Sequence, residues 1–591
     1  MKKTIILFAA SAITINLNAQ LQEAIALTDK EQFEKATGLY KAAVAAAPTS
    51  GEAWYFMGEN YWYNERRDSA EACYRKGVEV NPRFPLNHIG LGKVLQNKDG
   101  TTGTHAQATV GSGGTSASVG MGSNMTEAQR QFEEALVLIE DKTNKFSKPV
   151  KSLAYRELAE ALVSCKEPNY TTALAHLAKA EELNPTDIEI FILRGDILAK
   201  KDPRTGPTEA VAEYKKAIDL QGMNPKPLTK KAVMYHRSGR NPVAAIEEYT
   251  KAITNDPAYA PAYRGRAEAY FSNKEVDKAT ADYEKYLELN KGSVSARVRY
   301  AKFLYLVGRY SESLTEINAV KATGLDDNSL RRIEGYNLSA SGDYVKALEV
   351  MEEYLSQQPD DLEIPSDWEV MGKIYEGLAK QVGEGTITTG GLPTGNLDSL
   401  AAEFCLMCVR VDRDRVDLFT NAAQLFRKTK QYDKEVQVWK EKIATGDVKA
   451  NDWFFLGGAA NRAKQFNLAD SAWTKYIERN DKAYQGYLGR ARANVGLDTA
   501  KTTWQAKPFY EEVVRRMKPE EIEKNKVDAE EAYFYLGYYY YSKEENLPMA
   551  KCWMEKVRDL NAGTNNTKIG SDMILRKEMK DLAPADCTLL P

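Results

Sequence analysis

A helical-hairpin pattern recurs along this chain, and its clearest copy lies at residues 50–82. In the first half of this segment, Trp54, Gly58 and Tyr61 follow one another at spacings of four and three, the stripe with which an amphipathic helix buries one face. A polar turn leads into a second stripe that contains Tyr74. A glycine within the first stripe lets two antiparallel helices approach closely. The segment therefore predicts one helical hairpin, and its repetition predicts a stack of them.

The order of residue types in this hairpin resembles the tetratricopeptide repeat, whose period is about 34 residues. Further copies are carried by Ala245, Tyr249, Ala252 and Pro257; by Tyr263, Tyr270, Ala279 and Tyr283; by Gly335, Ala347, Tyr354 and Pro359; and by Trp453, Leu456, Gly457, Ala469 and Trp473. About 14 such units fit between residues 20 and 563. The resemblance implies an all-α fold, a superhelical solenoid of helical hairpins.

Both ends of the chain differ from the repeats. Residues 1–19 contain two lysines, an apolar run and a small residue before Gln20, which predicts a secretory signal peptide. The chain is therefore expected to be exported, to the periplasm first of all, with an outer-membrane-associated or extracellular location as the alternatives. Residues 564–591 are expected to form a capping helix and a C-terminal tail. No segment has the roughly 20 consecutive apolar residues of a membrane helix.

Two insertions rich in Gly, Ser and Thr interrupt the hairpins, at about residues 97–125 and 380–397. Each falls in the turn inside a hairpin. Such composition cannot offset its own ordering entropy, so both are predicted to be flexible loops. A phosphate-binding loop is not expected, because neither insertion contains G-x-x-x-x-G-K-[ST].

Composition excludes several classes of function. Without Lys2 and Lys3, 78 basic residues face 83 acidic ones, a net charge of −5, so nucleic acid is not an expected partner. The six cysteines are too few and too scattered for a disulfide scaffold, and Cys405 and Cys408 fall at core positions of one helix. With four histidines and no catalytic or metal-binding motif, we expect no enzyme activity, no metal and no cofactor.

The resemblance implies a concave groove that is lined by the first helix of each hairpin. By register, the predicted protein-binding positions are Lys230, Arg237, Arg264, Lys302, Tyr305, Arg332 and Tyr336. A second, aromatic set consists of Tyr55, Trp62 and Tyr63 near the start and Phe534, Tyr538 and Tyr541 near the end. Charge clustering of this kind also arises in any long helical array, so the basic set is a hypothesis.

Two functions remain open from the sequence. The first is an exported scaffold or adaptor that binds envelope proteins or peptides through its groove, in envelope assembly or secretion. The alternative is a periplasmic protein that binds peptidoglycan or another carbohydrate by stacking sugars on groove aromatics such as Trp62 and Tyr63.

Overall fold

A computed structural model of the protein describes residues 18–98, 126–324, 328–359 and 362–587, and all regular structure in these ranges is helical. The all-α prediction is confirmed. The chain divides into two compact units, Met1–Asp326 and Asp327–Pro591. Most of the predicted signal peptide and most of the first insertion lie outside the described residues.

Unit 1 contains sixteen helices within its described residues. They are α1 (residues 18–29), α2 (Phe33–Ala46), α3 (Gly51–Tyr63), α4 (Arg67–Val80), α5 (Pro85–Lys98), α6 (Glu127–Glu140), α7 (Lys148–Val163), α8 (Tyr170–Leu183), α9 (Ile188–Lys201), α10 (Gly206–Leu220), α11 (Pro225–Val233), α12 (Pro242–Asn255), α13 (Ala260–Ser272), α14 (Val276–Leu289), α15 (Val294–Leu306) and α16 (Tyr310–Lys321). A π-helical turn, Met234–Ser238, extends α11.

Unit 2 contains fifteen helices within its described residues. They are α17 (Asn328–Ser341), α18 (Tyr344–Ser356), α19 (Pro365–Gly383), α20 (Leu397–Val411), α21 (Asp417–Lys428), α22 (Tyr432–Ala444), α23 (Ala450–Arg462), α24 (Phe466–Arg479), α25 (Tyr484–Leu497), α26 (Lys507–Arg516), α27 (Pro519–Lys524), α28 (Lys526–Ser542), α29 (Leu547–Leu560), α30 (Asn565–Ile574) and α31 (Lys577–Lys580).

Consecutive helices pair into hairpins, from α1–α2 to α25–α26 and then α28–α29. The described part of the chain thus holds fourteen hairpins, the predicted number. Within each unit, the second helix of one hairpin packs against the first helix of the next, as α4 does on α5 and α24 on α25. Each unit is therefore a stack in which every hairpin contacts mainly its neighbours.

The repeat signature explains how neighbouring hairpins pack. Tyr74 is fully buried, and its ring lies between the backbones of Gly58 and Gly90, which belong to successive hairpins. A Cβ atom added at Gly58 would lie 2.3 Å from Tyr74 Cε1, and one at Gly90 would lie 2.4 Å from the same atom. Only glycine leaves room for the ring on both sides. The spacing of glycine and aromatic residues therefore sets the distance between hairpins.

Two connections differ from the sequence-based expectation. Helix α19 continues to Gly383, so the first residues of the predicted insertion at 380–397 are helical and the connection itself spans residues 384–396. The charge-rich segment RRMKPEEIEKNK before α28 is, by its composition, expected to be a solvated loop. It contains the short helix α27, which begins at Pro519. Proline at the first helical position loses no intrahelical hydrogen bond, so it starts a helix easily. The flexibility of both insertions stays a prediction.

The C-terminal cap differs from the sequence-based expectation more than these connections do. Residues 564–587 form two short helices, α30 and α31, instead of one, and α30 packs on α28 and α29. A disulfide joins Cys552 of α29 to Cys587, 35 residues away, with their Cα atoms 6.0 Å apart. The disulfide therefore ties the C-terminal tail to α29 at Cys587. Buried free thiols are found at Cys405 and Cys408, as predicted, and also at Cys73.

Within the described ranges, no helix combines the length and the apolar character that crossing a membrane requires.

Candidate functional site

The first helices of successive hairpins lie side by side in unit 1, and polar side chains join them. Lys93 on α5 forms an ion pair with Glu59 on α3, and Lys230 on α11 forms one with Asp196 on α9. We call the surface formed by α3, α5, α7, α9, α11, α13 and α15 the first-helix face. It is the part of unit 1 that corresponds to the predicted groove, and it is dense in paired charges.

Most of the predicted basic stripe lies on this face. Lys230 Nζ is 2.5 Å from Asp196 Oδ2. Arg237, on the π-helical turn, has a side chain that is 66% exposed, and its guanidinium lies 3.6 Å from Glu268. Lys302 on α15 is also exposed. Tyr305, in contrast, packs its ring 5.9 Å from that of Tyr310. Arg237 and Lys302 are therefore the stripe residues that are best placed to meet a partner.

The last two residues of the stripe, Arg332 and Tyr336, belong to unit 2 and form a cluster of their own. Arg332 Nε donates to Asp367 Oδ1 at 2.6 Å, and the hydroxyl of Tyr336 donates to the same oxygen. Tyr354 donates to Oδ2 of this carboxylate at 2.9 Å. Burial, together with the hydrogen bond to Asp367, raises the pKa of Tyr336. These side chains join α17, α18 and α19 within unit 2.

A segment that the sequence did not single out lies against the first-helix face. It consists of the last residue of α1 and the turn that leads to α2, here called the N-terminal turn (residues 29–32), and its contacts are more than 190 residues away in the chain. Three ion pairs hold it: Asp29 with Lys226 at 2.9 Å, Lys30 with Asp256 at 2.8 Å, and Glu31 with Arg264 at 2.7 Å. Gln32 Nε2 also donates to the carbonyl oxygen of Ala258 at 3.1 Å.

Glu31 makes the most contacts in this turn. Its carboxylate accepts hydrogen bonds from Arg264 at 2.7 Å and from the hydroxyl of Tyr286 at 3.0 Å, and Arg299 lies 3.8 Å away. Burial by itself raises the pKa of Glu31, but Arg264 and Arg299 outweigh it and hold the pKa below its usual range. Arg264, a predicted groove residue, is thus already bound to a carboxylate of the same chain.

A buried charge cluster lies deeper in unit 1, around Lys93. This lysine is 1% exposed, and its Nζ is 2.8 Å from Glu59 Oε2 and 3.6 Å from Glu160 Oε1. Burial lowers the pKa of Lys93, but the nearby glutamates more than compensate, and its pKa lies above the usual range. Burial raises the pKa of Glu59, although Lys93 opposes this effect. Lys93 is therefore the main counter-charge of the buried Glu59, and it also lies close to the partly exposed Glu160.

The predicted aromatic residues near the start of the chain belong to this cluster. The tyrosine hydroxyls donate to its glutamates: Tyr55 to Glu157 at 2.6 Å, Tyr63 to Glu160 at 2.9 Å, and Tyr74 to Glu59 at 2.6 Å. Tyr55 and Trp62 are buried, and Arg67 covers the Trp62 ring at 3.5 Å from its centroid. Of the three predicted residues, Tyr63 alone is exposed.

The predicted aromatic residues near the end lie on α28 and are half-buried. Phe534 and Tyr538 stack with ring centroids 6.3 Å apart, and Lys501 Nζ lies 4.1 Å from the Tyr538 centroid. Tyr541 donates to Glu578 at 3.1 Å. The structure therefore separates the two aromatic sets into different units, and sugar binding to either set stays a prediction.

Sequence reasoning missed the N-terminal turn and the Lys93 cluster. A local signal existed for the cluster, because Lys93 interrupts the otherwise uncharged run IGLGKVLQ. A charged residue at a core position needs a buried partner, and this rule could have identified it. No local signal connects Glu31 with Arg264, because 233 residues separate them.

Comparison with known proteins gives matches to family models and to solved structures. Residues 51–84 and residues 231–294 each match a family model described as tetratricopeptide repeat. No curated protein matches the chain.

Three similar chains among solved structures have the following identities and coverages. One is the C-terminal part of a tetratricopeptide-repeat-containing protein from Cytophaga hutchinsonii, 24% identical over 46% of this chain and 98% of that one, with a TM-score of 0.33. Another is a tetratricopeptide repeat protein from Parabacteroides merdae, 18% identical over 46% and 98%, with a TM-score of 0.33. Yeast Tom70 is 12% identical over 76% and 96%, with a TM-score of 0.32.

Proposed function

Because this chain is a tetratricopeptide repeat protein, we propose that it is an exported scaffold that binds envelope proteins or peptides through the first helices of its hairpins. Repeats of this family generally mediate contacts between proteins and are typically not catalytic. The finer proposal, a role in envelope assembly or secretion, rests on the predicted signal peptide.

The observation that carries the proposal is the N-terminal turn. In unit 1 the first-helix face already binds a polypeptide segment that is remote in sequence. It does so with side-chain ion pairs, such as Arg264 with Glu31, and the carbonyl of Ala258, just before α13, accepts a hydrogen bond from Gln32 of the segment. A surface that holds one peptide segment in this way has the chemistry to hold another.

Affinity capture of the tagged chain from crosslinked native cells, followed by mass spectrometry, tests this proposal. We expect a few envelope proteins to be enriched repeatedly. Reversing the exposed Arg237 and Lys302 to glutamate should reduce that enrichment at least about tenfold, because mismatched charge at an interface costs several kcal/mol. Arg264 and Arg332 are poor targets for reversal, because their side chains are only 21% and 26% exposed and an introduced glutamate would be held against the carboxylate that each now pairs with.

A matched control removes the same charges elsewhere. Lys251 and Lys278 lie on the second helices α12 and α14, are 59% and 63% exposed, and form ion pairs with glutamates of their own hairpins. Reversing both of these lysines to glutamate should leave the enrichment unchanged. Equal loss in the two double variants, or no enrichment of any protein by the wild-type chain, would contradict binding through the first-helix face.

Export is supported by the bond between Cys552 and Cys587, because disulfides persist mainly in oxidising compartments. We expect the protein recovered from native cells in the presence of a thiol-blocking reagent to lack residues 1–19. We also expect Cys552 and Cys587 to resist alkylation until a reductant is added. Mass spectrometry of the blocked protein measures both properties, and the free thiols of Cys405 and Cys408, labelled after unfolding, are the internal control. Full labelling of Cys552 without reductant would argue for a reducing compartment.

A further inference from the structure

From the contacts of the N-terminal turn we infer that it is an internal ligand of the first-helix face, and that an acidic segment of a partner protein binds the same basic residues by displacing it. This inference rests on the proposed function and adds to it the chemistry of the partner and a means of regulation. The basic residues in question, here called the basic wall, are Lys226, Arg264 and Arg299.

The first step is that the turn meets the wall through separable contacts. Asp29 and Glu31 bind the wall at 2.9 and 2.7 Å, and all four side chains of these two pairs retain some exposure to solvent. The Asp29 pair is the more exposed one and contributes roughly 0–1 kcal/mol, whereas the Glu31 pair is mostly buried and more costly to break. Both contacts are polar, so a competing segment that offers the same groups can replace them.

The second step is that the turn does not use the full binding capacity of the wall. One amino group of Arg264 donates to Glu31, but the buried Nε of Arg264 has no hydrogen-bond partner within the described part of the chain. An arginine binds a carboxylate best through two parallel hydrogen bonds. A partner carboxylate that engages both groups would therefore bind Arg264 more strongly than Glu31 does, and it would also satisfy a buried donor.

The third step concerns the charge that remains when the turn leaves. Lys226 keeps an ion pair with Glu189 at 2.8 Å, Arg264 keeps Glu268 at 3.5 Å, and Arg299 keeps the exposed Glu65 at 3.3 Å. These acids hold the basic side chains in place, and they form the same ion pairs while the turn is bound. Loss of Asp29 and Glu31 uncovers Lys226, Arg264 and Arg299, and loss of Lys30 also uncovers Asp256. The segment that fits therefore carries more acid than base, with acids against the wall and a base against Asp256, as in the turn itself.

The test uses fluorescein-labelled poly-L-glutamate as the probe and the full chain as the protein. In the variant Asp29→Asn with Glu31→Gln, the turn loses its negative charge but keeps its shape. We expect this variant to bind the probe at least about fivefold more tightly than the wild-type chain, because a larger fraction of molecules has the wall free. Adding Arg264→Gln to the variant should abolish that gain. Fluorescence anisotropy at low and at high salt measures both effects.

The control carries the same change of charge on the same hairpin. Glu23 is an exposed residue of α1, and Glu34 on α2 pairs with Arg66 at 3.4 Å and does not contact the wall. The double variant Glu23→Gln with Glu34→Gln should bind the probe as the wild-type chain does. Equal gains in the two double variants, or a gain that survives Arg264→Gln, would overturn the inference.

A second measurement does not depend on a variant. In the wild-type chain, saturating poly-L-glutamate should increase hydrogen exchange at residues 29–32 at least about threefold, because displacement raises the open fraction of the turn. Probe binding that leaves this exchange unchanged would also overturn the inference. Failure of the proposed function is distinguishable, because it is decided by capture from cells and would leave this displacement intact.

Discussion

Replacing Lys93 with methionine is expected to lower the free energy of unfolding of unit 1 by about 3–5 kcal/mol, the cost of removing one partner from a buried ion pair. Lys93 is 1% exposed and is the counter-charge of Glu59 and Glu160. Methionine fills a similar volume, so the loss of stability reflects the missing charge and not a change in packing. Denaturant unfolding, with hydrogen exchange in α3, α5 and α7 as the local probe, measures the effect.

The loss should depend on pH in a definite direction. Burial raises the pKa of Glu59 in the folded protein. A carboxyl with a raised folded-state pKa contributes stability that is present below its unfolded-state pKa and is lost as the pH rises through the folded-state value. The Lys93→Met variant, which has lost the opposing lysine, should therefore be more stable near pH 5 than near pH 8. Adding Glu59→Gln should recover part of the loss at pH 8.

Lys76 provides the matched control. It is a lysine of the same unit, on α4, 44% exposed and paired with Glu79 at 2.5 Å. Replacing Lys76 with methionine should change the free energy of unfolding by less than about 1 kcal/mol, the usual contribution of an exposed ion pair. If Lys93→Met cost no more than Lys76→Met, the buried cluster would not have the arrangement described.

The second large loss of stability is expected in unit 2, when Trp473 is replaced. This side chain lies between Gly457 and Gly489 of successive hairpins, and a Cβ atom at those glycines would lie 2.6 and 2.2 Å from Trp473 Cε2. Replacing Trp473 with alanine should cost about 3–5 kcal/mol, because neighbouring backbones cannot close the cavity. Hydrogen exchange in α23, α24 and α25 should rise together, since all three helices contact the indole.

The control for Trp473 is Trp453, at the first turn of α23. Its side chain is only half-buried, so its replacement by alanine should cost clearly less than the loss at Trp473. Exchange in α9 and α10 of unit 1 should be unchanged in both variants, because hairpins of a repeat stack interact mainly with their neighbours. Equal losses of stability for the two tryptophan variants would show that Gly457 and Gly489 do not confine the indole of Trp473.

The fold could be predicted because its determinants are local. Gly58, Tyr61 and Tyr74 lie within one repeat, and the same spacing recurs along the chain, so both the hairpins and their number followed from periodicity. Register also placed Lys230, Arg237 and Lys302 on first helices. What the pattern could not give is the partner of each charge, because ion pairs between hairpins depend on distances that the sequence does not contain.

The sequence by itself determined the helical hairpins, their order and the residues that set their spacing. Only the tertiary structure decided that Glu31 meets Arg264, that Lys93 neutralises the buried Glu59, and that Cys552 pairs with Cys587. The physical reason is that helix stripes and glycine clearances act over a few residues, whereas these contacts form only after the stack has brought remote positions together.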